Sequence, residues 1–136
     1  MNVVKAKELE LLFNLEQKLK AKFTLKSKAT GKDFTYSLFK SDWGQKTYLQ
    51  VAVEIDYLNF MHVGYYSNGV IKKRRKEIKT LSAKAIAWAL RNIERGNFAL
   101  LEDSVEIYHL GNCLRCGRVL TDAKSIEIGL GPVCRS

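Results

Sequence analysis

An α+β fold is predicted, with an antiparallel β-meander, flanking helices and a small cysteine-rich module at the C-terminal end. Three observations predict it. Apolar and polar residues alternate with period two through the middle of the chain, helical spacing brackets that region, and all three cysteines fall late, at positions 113, 116 and 134. With 136 residues, the chain fits one modest core with a satellite, divided here into an α+β body over residues 1–100 and a module over residues 101–136.

From Lys5 to about Lys20, Leu9, Leu12, Phe13 and Leu19 recur at helical spacing. Glu8, Glu10 and Glu16 precede Lys18, Lys20 and Lys22, the charge order a helix dipole favours, so an amphipathic helix is expected there. Phe23 and Leu25, then Phe34, Tyr36 and Leu38, alternate on either side of Thr30-Gly31-Lys32-Asp33, which is a hairpin pattern. Leu49, Val51, Val53 and Ile55 alternate with Gln50, Ala52 and Glu54, followed by Phe60 to Tyr66 and a Ser67-Asn68-Gly69 turn into Val70-Ile71. These segments predict a meander of roughly three to five strands.

The period then changes. Ile86, Leu90 and Ile93 form one stripe of a helix that Ser82 caps and Gly96 terminates, covering one face of the sheet. Phe98 to Tyr108 reads either as a turn and strand or as a bent linker, with Val105, Ile107 and Tyr108 favouring extension into His109. Trp88 is expected in the core, Trp43 in an exposed loop, and His62 as a packed or hydrogen-bonded residue.

The apolar fraction of 46%, with six Phe, six Tyr and two Trp, is enough for a core, and a single Pro argues against extensive disorder. No apolar run approaches the roughly 20 residues needed to cross a bilayer, and the first residues lack the pattern of a secretory signal. A cytoplasmic protein without membrane contact is therefore expected. Lys and Arg total 23 against 14 acids, a balance of +9 that attracts phosphate polymers.

His109, Cys113, Cys116 and Cys134 read as H-x3-C-x2-C-x17-C. A tetrahedral zinc site of three sulfurs and one imidazole is the leading interpretation, which makes the tail a zinc knuckle or treble-clef-like module. Gly117 accepts the positive backbone torsion that lets amides turn toward sulfur. Residues Arg118 to Leu130 form a loop or hairpin returning Cys134 through Gly129-Leu130-Gly131-Pro132. His109 is the weakest of the four assignments, and His62, Asp122 or a residue of another subunit are the alternatives. A saturated site of this kind is structural, whereas a vacant fourth position would admit water. Three thiolates and a divalent ion would bring the net charge to roughly +8. A redox C-x2-C is disfavoured because no βαβ context precedes it.

Cys113-x2-Cys116-Gly117-Arg118, Leu120-Thr121-Asp122, Ser125, Gly129-x-Gly131-Pro132 and Cys134 resemble a small cysteine-rich family of unknown function found in bacteriophage and bacterial proteins. Some of its members sit beside helicase-like or other DNA-processing modules. The resemblance covers about residues 109–135, and Ala123 stands where the family pattern has proline. It implies zinc and a phage or mobile-element setting, hence a bacterial host cytoplasm, rather than any particular activity.

Lys72, Lys73, Arg74, Arg75 and Lys76, followed by Lys79, form the densest positive run, suited to several phosphates at once. Tyr65 and Tyr66 precede it, and whichever faces outward could stack on an unpaired base. The same run would equally solvate a turn between strand and helix. No GxSxG, HExxH, deaminase or Walker motif is present, so the expectation is a small phage-like accessory protein binding DNA or RNA rather than an enzyme. The alternative is an inhibitor or adaptor that captures an acidic host protein of nucleic-acid processing or antiviral defence. Oligomeric state is left open.

Overall fold

The computed structural model describes residues 2–14 and 19–135. Its frame is a seven-stranded antiparallel sheet: β1 (Lys20–Ser27), β2 (Asp33–Trp43), β3 (Lys46–Asp56), β4 (Asn59–Ser67), β5 (Val70–Lys73), β6 (Lys76–Glu77) and β7 (Val105–His109). The order across the sheet is β6-β5-β4-β3-β2-β1-β7. Six strands follow one another as a meander, and β7 closes the far edge against β1.

Register follows from the alternation of side chains. Phe23 lies opposite Tyr36 and Leu25 opposite Phe34, while Leu38 faces Val51 and Tyr36 faces Val53, so one apolar set fills one side of the sheet. The Asn68-Gly69 turn between β4 and β5 has φ of 49° and 87°, the paired left-handed geometry that two-residue hairpins require. Gly64 sits beside a register shift between β3 and β4, where a side chain would run into the Lys72 carbonyl.

One face is covered. The 3-10 helix Ala6–Phe13, α1 (Leu81–Glu94) and α2 (Phe98–Ser104) contact one another and pack over Phe23, Tyr36, Leu38, Val51 and Ile71, all at most 1% exposed. Ile86, Leu90 and Ile93 of α1 enter this core, each burial contributing about 1.5–3 kcal/mol. The Tyr36 hydroxyl donates to the Ser82 carbonyl at 2.7 Å and the Tyr66 hydroxyl to the Glu94 carboxylate at 2.9 Å, fixing α1 on the sheet at two points. The same core continues through Cys113, Leu114, Leu120 and Leu130 into the C-terminal segment.

Several expectations are corrected. The N-terminal helix is a short 3-10 helix, and Lys20 and Lys22 belong to β1; Glu16 and Lys18 lie outside the described residues. The apolar spacing there also serves a 3-10 turn followed by alternation, because Leu19, Ala21 and Phe23 are buried with period two. Thr80, not Ser82, caps α1 by accepting from the Ala83 amide at 3.3 Å. Trp88 is half-buried against the core rather than within it. Trp43 is 80% exposed as expected but ends β2 instead of occupying a loop. Apart from these corrections, residue 100 lies inside α2, and β7 pairs with β1 at the edge of the sheet. Among the described residues, no helix is long and apolar enough to cross a membrane.

Candidate metal centre and nucleic-acid interface

Gly111 (φ 87°) and Gly117 (φ 80°) turn the chain tightly after β7. Cys113 donates its amide to the Arg118 carbonyl at 2.7 Å and accepts the Gly117 amide at 2.9 Å, closing a knuckle around Leu114-Arg115-Cys116. The expected loop or hairpin over residues 118–130 instead contains α3 (Ala123–Ile128). Its Asp122 cap accepts from the Ser125 amide, and Gly129 ends it at φ 87°. Leu114 then donates to the Gly129 carbonyl at 2.9 Å, and the Arg115 guanidinium holds the Cys134 carbonyl at 2.9 Å. The returning segment is thereby tied to the knuckle at two points.

The sulfurs of Cys113, Cys116 and Cys134 lie within 4.8 Å of one another. Zinc–sulfur bonds of about 2.3 Å in a tetrahedron place sulfurs about 3.8 Å apart, so the cluster fits a thiophilic cation with little movement. Cys113 is buried, Cys134 intermediate and Cys116 exposed. Burial opposes ionisation of Cys113, but amides of Gly131, Cys116 and Arg115 donate to it and bring its thiol down to about 7. Cys134 is pushed up to about 12 by burial, by its sulfur contacts with Cys116 and Cys113, and by their charges. Three neighbouring thiolates repel one another unless a cation lies among them.

His109 stands apart from this cluster. Its ring is 2% exposed, with Nδ1 accepting the Gly111 amide at 2.9 Å and Nε2 at 2.6 Å from the Ile126 carbonyl. That pattern is satisfied by a neutral ring carrying its proton on Nε2, and it leaves neither nitrogen free for a metal. Among the described residues, no fourth His, Cys, Asp or Glu joins the sulfurs. His62, on β4, instead meets Gln50 of β3 at 2.7 Å, and Asp122 caps α3 and lies 3.7 Å from Arg135.

The basic run forms a hairpin, not a turn between strand and helix. Lys72 and Lys73 end β5, Arg74 and Arg75 make the tip, and Lys76 opens β6. Lys73, Arg74, Arg75, Lys76 and Lys79 are exposed, while Lys72 is half-buried. Arg74 and Arg75 both adopt left-handed backbone, φ 53° and 68°, which costs a non-glycine residue about 1–2 kcal/mol.

The adjacent tyrosines separate. Tyr66 faces α1 through Glu94 and meets the Phe13 ring edge-on at 5.8 Å, so its ring is engaged on the helix-covered side of the sheet. Tyr65 faces the other side of the sheet, paired across strands with Gln50 and Lys72. On that uncovered face Tyr65 meets Tyr48 edge-on at 5.2 Å. With Ser41, Asp42, Trp43 and Gln50 these two rings line a cleft of about 350 Å³. Sequence reasoning missed Trp43 and Tyr48 as partners of Tyr65, although the odd–even alternation of β2, β3 and β4 carried the signal.

The model of the family of unknown function DUF6011 matches residues 105–136, which begin at β7 and include the knuckle, α3 and the return to Cys134. No curated protein matches, and no solved structure matches.

Proposed function

We propose that this protein binds nucleic acid through the β5–β6 hairpin and that its C-terminal module is held by a zinc ion, as an accessory protein of a phage or mobile element. The single observation that carries the binding reading is the hairpin tip itself. Two arginines occupy positions where Asn-Gly would relieve the backbone, and strain of this kind is retained where the side chains have work to do. Four further cations, Lys72, Lys73, Lys76 and Lys79, surround them in a chain with a net charge of +9, so a polyanion can be met at several phosphates.

Zinc would be held by Cys113, Cys116 and Cys134, with the fourth position taken by water or by a group of another molecule. When bound, the ion neutralises the thiolates and fixes the module on β7 and α3. The proposed role is recognition or interference rather than turnover. Fluorescence anisotropy of labelled oligonucleotides with metal-loaded protein at low salt tests the reading: saturable binding is expected, and its absence for both DNA and RNA overturns it.

A second reading, capture of an acidic host protein, has one observation in its favour. Ile55, Tyr57, Leu58 and Met61 crowd the β3–β4 tip and are all more than half exposed. A protein partner that stays bound after nuclease and high-salt treatment would favour it over polymer binding.

A further inference from the structure

We infer that the uncovered sheet face is a platform for single-stranded nucleic acid, with Trp43, Tyr48 and Tyr65 stacking unpaired bases beside the cationic hairpin. This rests on the nucleic-acid reading above and names its substrate class. The register puts the relevant groups on one face. Phe39 pairs with Gln50, Gln50 with Tyr65, and Tyr65 with Lys72, in one row across four strands. The neighbouring rows pair Ser41 with Tyr48 and Trp43 with Lys46. Tyr65, at one side of the cleft, therefore lies one strand spacing, about 4.8 Å, from Lys72, while Trp43 and the Arg74–Arg75 tip lie toward opposite ends of the strands, so that a bound strand would cross the face obliquely.

Three features select a flexible polyanion with exposed bases over a duplex. Trp43 is 80% exposed and projects an open ring face, which a stacked duplex does not engage but an unpaired base does. Gln50 and Ser41 both line the cleft and are hydrogen-bonded to each other at 3.0 Å, so an amide and a hydroxyl can exchange that bond for bonds to base edges. Lys20, opposite Phe39, and Lys46, opposite Trp43, add cations at the same face for the connecting phosphates. Asp42 also lines the cleft, with one carboxylate oxygen accepting the Thr47 hydroxyl at 2.6 Å.

The test uses the full chain loaded with zinc, in a Trp88→Phe background so that Trp43 is the only indole. Single-stranded oligo-dT and oligo-U and a duplex of equal length are titrated at low salt. Single strands are expected to quench Trp43 emission and to bind more tightly than the duplex. Trp43→Ala and Tyr65→Ala are each expected to weaken single-strand binding roughly tenfold and to leave duplex binding unchanged. Trp43→Ala keeps the test sound if Tyr65→Ala disturbs the sheet, because an exposed strand-end residue can be removed without loss of fold.

Equal binding of strand and duplex, with no quenching and no effect of Trp43→Ala, overturns the platform while leaving hairpin binding intact. No binding of either polymer overturns both readings. Concentration-dependent dimerisation abolished by Trp43→Ala would assign the face to a second copy and also overturn the platform.

Discussion

His109 fills the position from which a fourth metal ligand was expected, yet both of its ring nitrogens are held by backbone groups of Gly111 and Ile126. Spacing reported which residues converge on the tail, but it carried no information on where the ring points. His109→Ala should therefore keep one metal per chain by elemental analysis while lowering stability by roughly 2–5 kcal/mol, through a cavity and two unsatisfied backbone groups. Loss of the metal in that variant would restore His109 as a ligand. The tyrosines give a second residue-scale prediction. Burial and the Glu94 carboxylate push Tyr66 up to about 12 from an ordinary 10.0, and burial raises Tyr36 as well. The fold thus favours the neutral phenols, so their contribution is complete below about pH 10 and fades as pH rises through the folded values. Tyr66→Phe should flatten part of the alkaline loss seen in denaturant melts between pH 10 and 12, the interval bounded by those two values; an unchanged pH profile would contradict this.

Hairpins were the elements most legible in the sequence, because period-two alternation and a turn such as Asn68-Gly69 specify both faces and register together. The β5–β6 hairpin escaped that reading because Arg74-Arg75 carries no turn signature and its strands are only four and two residues long. The N-terminal helix was overextended for a related reason: leucine spacing alone does not distinguish a 3-10 turn running into a strand from a longer helix. In α3, Asp122 caps the helix and Gly129 stops it, but the sequence predicts a loop or hairpin there because six residues carry too little apolar period to announce a helix. Replacing the tip by Arg74→Asn with Arg75→Gly should raise stability by about 1–2 kcal/mol in urea melts, since both residues relieve left-handed backbone. A destabilised hairpin variant would mean that the arginines support the fold rather than burden it.

Across the whole molecule, one sheet presents two different sides. The side under α1 holds the apolar core, which runs on into Leu114, Leu120 and Leu130; among the described residues, the other side carries tyrosines, a tryptophan and lysines with no helix over them. The α+β class and the cysteine cluster followed from pattern and spacing. The uncovered face did not, because it depends on which strands become neighbours. Metal should matter locally, since Cys113, Cys116 and Cys134 close a segment too short to bury a core of its own. Chelation, or Cys116→Ser, should strip hydrogen-exchange protection from residues 111–135 while α1 amides keep theirs; loss of protection in both would show the sheet itself to be metal-dependent. The most direct test of the central claim is the salt dependence of oligonucleotide affinity for the native protein and for the Arg74→Asn, Arg75→Gly variant. Log affinity should fall linearly with log salt for the native chain, and the variant should bind more weakly with a slope flatter by about 1–2. Identical slopes and affinities for the two proteins would contradict the claim that this hairpin meets the phosphates.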